Sequence, residues 1–353
     1  MTVYVVDIEA VDTRYTKQWK EHLPAQMIRA GIPTVVISGG EIPQMATPGA
    51  FLNFAGTNSY KSQQMLRIAD MIAKGTIKDG DYFLYTDAWN PTVIQLKYMA
   101  ELLGLKIKIG GMWHAGSYDP QDFLGRLIGD AAWVRNAERS MYDCYDHNFF
   151  ATQFHVDLFL KSFNDVNQEK IRIVGWPMEY LKDIMAPYKG TPKKEKIIFP
   201  HRVAPEKQVE IFRDLAKELP QYEWFVAQDQ TLTKHEYHQH MAESKLMFSA
   251  SLQETLGIGA YEAALVGTVP VLPTRLSYVE MWAPMDGFYH SEWTESWESY
   301  QASKPFLKSF IMLLMDKLGP TQLADTAAEA ASNATKFFDG SALYTVITGS
   351  TRI

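Results

Sequence analysis

Glu254-Thr-Leu-Gly257-Ile-Gly-Ala-Tyr-Glu262-Ala263, followed by Gly267-Thr-Val-Pro270-Val271, is the stretch on which the reading of the fold turns. The apolar run Leu246–Ser249 precedes it and Val269–Leu272 closes it, each of strand length, while Gly257–Val266 between them is an Ala-rich segment of helical length. Strand, helix and strand in that order make a parallel βαβ unit. Gly257 stands where the helix begins. Its unpaired N–H groups and the positive end of the helix dipole can therefore face a phosphate with no side chain between. Glu262, just over one turn further on, can accept hydrogen bonds from two vicinal hydroxyls, as a ribose presents them.

The same rhythm extends outward in both directions. Ile197–Phe199 and Glu223–Ala227 read as strands, and Lys207–Leu219 and His235–Ser244 as helices. In the first half, Val3–Val6, Thr34–Ile37, Tyr82–Tyr85, Lys106–Ile109, Phe149–Ala151 and Ile171–Val174 are strand candidates. Thr16–Ala30, Ser59–Lys74, Thr92–Leu103 and Phe154–Lys161 between them are helical. A chain of 353 residues exceeds one comfortable core. The expected fold is α/β with two Rossmann-like lobes, a cleft between them and a C-terminal helix returning to the first. The expected domains are 1–185, 186–320 and a tail 321–353, with Tyr188-Lys-Gly-Thr-Pro-Lys-Lys194 as linker.

A net charge of −7 excludes a uniformly basic, nucleic-acid-coating surface, though not a local basic wall. The lone Cys144 allows neither an intrachain disulfide nor a thiolate metal cluster, which suits a reducing compartment. Met1–Asp7 reads as a first strand rather than a signal peptide, and Phe310–Met315 is too short to span a bilayer, so the expectation is a cytoplasmic protein without a membrane span.

Phe199-Pro-His-Arg202-Val-Ala-Pro-Glu-Lys207 lies at a strand's carboxyl end, where open α/β sheets bind ligands. Arg202 as a fork and Lys207 as a point charge can converge on one anionic group. In this order and spacing, Arg202, Lys207, Glu254, Gly257, Glu262 and Gly267-x-x-Pro270-Val271 resemble the donor signature of retaining GT-B glycosyltransferases of the family-four type. The resemblance implies that Arg202 and Lys207 hold the diphosphate of a nucleotide sugar, that Glu254 contacts the sugar and that Glu262 binds the ribose. It places Leu256 and Ile258 beside Gly257 in the donor site. It further implies a nucleoside diphosphate sugar, UDP-sugar among the candidates, as the only cofactor, and no required metal.

His114, in Trp113-His-Ala-Gly-Ser just past a first-half strand, stands where that family often has a histidine reaching the sugar. A structural histidine is the competing reading. The segment Ile171–Glu179 keeps the position of the family's Asn-Gly-Val-Asp hinge without its Asn-Gly, and Glu9–Thr16 replaces its Gly-rich first loop. A looser similarity to phage-encoded DNA-modifying glycosyltransferases, on Ala46–Phe54 and Trp113–Arg126, implies a hydroxymethylated base in DNA as acceptor and the host cytoplasm as location. Its acceptor-side candidates are the cations Arg14, Lys17 and Lys61 for phosphates, and Tyr15, Trp19, Trp89 and Trp113 for stacking. A glycan, lipid or small-molecule acceptor, a sugar-nucleotide epimerase and a non-enzymatic nucleotide-sugar binder are the alternatives.

Two features read as structural. Asp79-Gly-Asp81 precedes a strand and suits a turn, and the histidines of Lys234-His235-Glu-Tyr-His238-Gln-His240 do not share one helical face, which suits a solvated helix.

Overall fold

The computed structural model describes residues 1–11, 15–42, 45, 52–317 and 319–349. The chain divides into two compact units, Met1–Met178 with Asp339–Ile353, and Glu179–Phe338.

Unit 1 is built on a six-stranded parallel sheet in the order β2-β1-β3-β4-β5-β6. Its strands are β1 Val3–Val6, β2 Thr34–Ile37, β3 Tyr82–Tyr85, β4 Lys108–Met112, β5 His147–Phe150 and β6 Ile171–Ile173. The helices between them are α1 Tyr15–Arg29, α2 Phe54–Ala73, α3 Thr92–Leu102, α4 Phe123–Leu127, α5 Ala132–Cys144 and α6 Gln153–Leu160. Every residue of β1 and β3 is buried, as expected of strands covered on both faces. β4 runs later than the expected Lys106–Ile109 because Gly110 and Gly111 belong to it. A Cβ on Gly111 would lie 2.5 Å from the Tyr145 ring, and one on Gly110 would lie 2.2 Å from the Tyr82 hydroxyl. The glycine pair lets those aromatic side chains close over the strand. α5 was not expected, since its buried face carries Glu138 among Val134, Met141 and Tyr142 and so lacks a continuous apolar stripe.

Unit 2 holds a five-stranded parallel sheet in the order β11-β10-β9-β7-β8. Its elements are α7 Tyr180–Met185, β7 Lys194–Phe199, α8 Val209–Glu218, β8 Glu223–Val226, α9 Lys234–Glu243, β9 Ser244–Phe248, α10 Ile258–Leu265, β10 Val269–Pro273, α11 Ser277–Trp282, β11 Phe288–Tyr289, α12 Trp297–Lys317 and α13 Pro320–Ala334. α14, Ser341–Thr348, belongs to unit 1.

The expected boundaries shift at two places. α7 buries Tyr180, Leu181 and Met185 and packs on α10, so unit 2 begins before it, at Glu179, and not after residue 185. The tail does not cross back at 321. α13 packs on α10, α11 and β10, and the Tyr261 ring stacks on Phe338 at 4.0 Å, which keeps the chain in unit 2 through that residue. Only then does α14 join unit 1, burying Leu343 and Ile347, with the Tyr344 hydroxyl accepting from Gln26 Nε2 at 3.4 Å. Within the linker, Lys193 Nζ donates to Ala242 O at 2.7 Å, Val266 O at 2.9 Å and Thr268 Oγ1 at 2.7 Å, tying the ends of α9 and α10 to the start of the sheet. Among the described residues no helix is long and apolar enough to cross a membrane.

Candidate functional site

In unit 2 the polar residues gather where β7 and β9 end. After β7, the chain turns through Pro205–Lys207 as a short 3₁₀ segment, and α8 starts at Val209, later than the expected Lys207. Gln208 between them is left-handed at φ 52°. Its buried side chain compensates that backbone by donating to Ala250 O and Thr294 O, both at 2.7 Å. The turn thereby aims Arg202 and Lys207.

The two cations do not end on one point. The Arg202 guanidinium forks onto Oε1 of Glu206, with Nε at 3.0 Å, while Lys207 Nζ meets Oε2 of Glu254 at 3.1 Å and the carbonyl of Gln253. Glu206 is wholly buried, and the spacing Arg202-x-x-x-Glu206 was the signal by which it could have been found. Burial, the largest influence, would raise the Glu254 carboxyl, but the charge and hydrogen bond of Lys207 together with His201 and the Gly257 backbone outweigh it and hold the group below the ordinary carboxylate range. Burial, with the charge of Lys207 second, pushes His201 down to about 3, so the imidazole beside these charges is neutral.

Gly257 is left-handed at φ 76°, and a Cβ there would lie 2.9 Å from the Tyr278 ring. It opens α10, whose first N–H groups have no intrahelical partner. Leu256 is buried and Ile258 is half-buried. Arg275, which sequence reasoning missed, fixes this edge by donating to Ala250 O at 2.8 Å, Ser251 O at 2.8 Å and Ser291 O at 2.9 Å. Glu262 is buried, with Oε2 accepting from the Tyr237 hydroxyl at 3.0 Å and Oε1 standing 3.6 Å from His238 Nε2. The histidine-rich helix is thus not solvated throughout: His238 is buried, because α9 packs on α10.

In unit 1 the described residues named for the acceptor side include two groups, Tyr15 and Trp19 beside His114, and Lys61 against Trp89. Arg14 lies outside the described residues, as does most of Ala46–Phe54. Lys17 is exposed, and Tyr15 and Trp89 are half-buried. Two expectations are corrected: Trp19 and Trp113 are fully buried, Trp113 donating its Nε1–H to Asn148 Oδ1 at 2.8 Å, so neither offers a face for a base. Trp89 is tied by its Nε1–H to Glu138 at 2.9 Å. Both nitrogens of His114 are engaged, Nδ1 with the Tyr15 hydroxyl at 2.7 Å and Nε2 with Thr86 O at 2.6 Å, and its ring lies 4.5 Å from that of Trp176. Lys61 pairs with Asp87 at 3.1 Å and donates to Trp89 O at 2.7 Å. Glu9, missed in the sequence, is buried beside Thr57 with Oε2 lacking a hydrogen-bond partner.

Asp79 and Asp81 are spent on the turn, accepting from the backbone N–H groups of Lys106 and Thr2, each at 2.8 Å. Among the described residues no group of three His, Cys, Asp or Glu side chains is arranged to hold a metal ion.

The two α/β units are those of the GT-B fold. A sucrose-phosphate synthase from Thermosynechococcus elongatus is similar over 99% of this chain and 98% of its own, with a TM-score of 0.67 at 11% identity. A UDP-forming alpha,alpha-trehalose-phosphate synthase from Burkholderia vietnamiensis matches over 99% and 96%, with a TM-score of 0.63 at 11% identity. Anabaena HepE, solved with UDP and glucose, matches over 99% and 98%, with a TM-score of 0.57 at 13% identity. At such identities the likeness is one of fold. No protein-family model and no curated protein matches the chain.

Proposed function

We propose that the chain is a glycosyltransferase that moves a sugar from a nucleoside diphosphate sugar, with UDP as the nucleotide, to an acceptor hydroxyl. The observation that carries this reading is the edge of unit 2, where Arg202 pairs with Glu206, Lys207 pairs with Glu254, and a left-handed glycine three residues after Glu254 opens α10. Breaking the bond between the anomeric carbon and the donor phosphate throws negative charge onto that phosphate. Arg202 and Lys207, once they exchange Glu206 and Glu254 for the phosphate, and the N–H groups of α10 can meet that charge, the kind of interaction that counts most in a transition state. Glu254, ionised beside Lys207, orients the sugar, and Glu262 the ribose. UDP is supported by the ligand of HepE and the UDP-forming synthase, which share the fold. The resemblance favours retention at the anomeric carbon, to be read from the anomer formed.

With three positive partners for the diphosphate, transfer should survive chelation. Complete loss of activity in chelator, restored by a divalent ion, defeats this point.

For the acceptor, the phage-type resemblance favours a hydroxymethylated base in DNA, extruded toward the protein. The burial of Trp19 and Trp113, and the carboxylates Glu9 and Asp87 at the strand ends of unit 1, favour instead an uncharged hydroxyl-bearing acceptor, a glycan among them. Nucleotide release from a panel of donors, run with modified DNA, free nucleosides, glycosides and no acceptor, separates these. Salt-sensitive release on modified DNA alone supports the first. Release on glycosides supports the second, release without any acceptor points to an epimerase or hydrolase, and binding without release sinks the transferase reading.

A further inference from the structure

α9 was set aside in the sequence, yet it brings two adjacent residues to one carboxylate. The Tyr237 hydroxyl donates to Oε2 of Glu262 at 3.0 Å and His238 Nε2 faces Oε1 at 3.6 Å, so each oxygen is addressed by a different side chain of the same helix. The Tyr237 hydrogen bond holds one oxygen, and His238 lies against the other at ion-pair distance without a hydrogen bond. His238 is buried, its ring lies edge-on to Tyr188 at 5.4 Å, and its Nε2 has no hydrogen-bond partner.

α10 makes room for the arrangement. Gly259 lies three residues before Glu262, and a Cβ there would come within 3.3 Å of Pro200 Cγ and 3.7 Å of the Tyr237 hydroxyl. The hydroxyl is thus enclosed between the end of β7 and α10. Burial would raise the Glu262 carboxyl, but His238, Lys234 and Tyr237 outweigh it and hold the group below the ordinary range. An ionised carboxylate offers about four lone-pair directions. Tyr237 occupies one and His238 faces a second, which leaves about two, the number a vicinal diol uses.

Resting on the nucleotide-sugar reading above, we infer that Tyr237 and His238 are positioning residues that hold Glu262 for a ribose diol and so make the site select ribonucleotides over 2′-deoxyribonucleotides. Neither need touch the nucleotide. A mere packing tie between α9 and α10 would bear on both kinds of nucleotide alike, and this distinguishes the two roles.

The test is calorimetric titration with UDP and with 2′-deoxy-UDP of the wild type, Tyr237→Phe, His238→Gln and Glu262→Gln. The wild type is expected to prefer UDP by about tenfold or more, the effect of one hydrogen bond to a charged group. Glu262→Gln should abolish most of that preference. Tyr237→Phe should cut it about fivefold by weakening UDP while leaving 2′-deoxy-UDP nearly unchanged. An equal loss for both nucleotides, or no change in either, in Tyr237→Phe overturns the inference. Thermal melts monitor folding. If His238→Gln does not fold, Tyr237→Phe, which removes a single oxygen, carries the test. A wild type that binds UDP and 2′-deoxy-UDP equally overturns this inference and leaves the donor reading standing, whereas one that binds neither sinks both.

Discussion

The carboxyl ends of the two sheets carry different chemistry. In unit 2, Arg202 and Lys207 are each held by a carboxylate, Glu206 and Glu254. In unit 1 the polar groups at the strand ends hold one another: Asp7 takes Tyr60, Gln64 and Lys20, His114 is boxed by Tyr15 and Thr86, and Glu138 binds Ser117 and Trp89. One edge pairs its cations with carboxylates. The other has spent most of its hydrogen bonding on its own architecture, and among the described residues Glu9 Oε2 and Gln64 Oε1 are buried there without a hydrogen-bond partner.

The largest expected effect lies in unit 2. Arg202→Ala should weaken UDP binding about ten- to a hundredfold, and it also strands buried Glu206 without this partner, costing about 1–3 kcal/mol of stability. Adding Glu206→Gln to Arg202→Ala should restore the melting temperature and not the affinity. If the double variant regains UDP binding, the arginine serves the fold and not the donor. Glu254→Gln sharpens the same edge: turnover is expected to fall about ten- to a hundredfold while UDP affinity holds, because Lys207 loses its carboxylate but keeps its charge. A parallel fall in affinity would move Glu254 from the sugar to the diphosphate.

His114 asks whether unit 1 contributes to the chemistry. With both ring nitrogens engaged, the imidazole can reach a sugar only by giving up Tyr15 or Thr86. His114→Ala is expected to lower turnover roughly tenfold at unchanged UDP affinity, read by steady-state kinetics beside calorimetry. Unchanged turnover makes it a packing residue of the Tyr15, Trp19 and Trp176 cluster.

The contrast also explains what the sequence made legible. The alternation of apolar strand runs with helical segments and the placing of Arg202, Lys207, Gly257 and Glu262 are local patterns, visible because each depends on residues near in the chain. The partners were not local: Glu254 finds Lys207 across 47 positions, Tyr237 finds Glu262 across 25, and Arg275 ties carbonyls 16 to 25 positions away. Burial was misjudged for a related reason. Trp19 and Trp113 are amphipathic, and only the packing of Asn148, Phe150 and Trp176 around them shows which end is covered. α5 escaped because Glu138 on its inner face is paid for by Ser117 and Trp89, both remote in sequence.

A last expected effect separates the units by pH. His155 in unit 1 is buried beside Tyr118 and Phe150, with Nε2 at 2.7 Å from the Tyr118 hydroxyl and Nδ1 without a partner. Burial, helped by the charge of His114, pushes it from 6.5 down to about 3. The folded chain therefore keeps this ring neutral while the unfolded chain protonates it below about pH 6.5. Between about pH 6.5 and 3 the unfolded state binds the extra proton. The stability His155 contributes is thus complete above that window and lost as pH falls through it, at up to about 1.4 kcal/mol per pH unit. His155→Gln keeps a partner for Tyr118 and removes the titration, so the slope of unit 1 stability against pH should flatten by up to that amount. Hydrogen exchange of core amides in β4 and β5, followed from pH 7 to 5, reads unit 1. The same measurement on β7 and β9 reads unit 2, where His201 stays in place. Flattening in unit 1 alone supports the assignment, whereas an unchanged slope in both units means His155 is already accessible to protons in the folded chain.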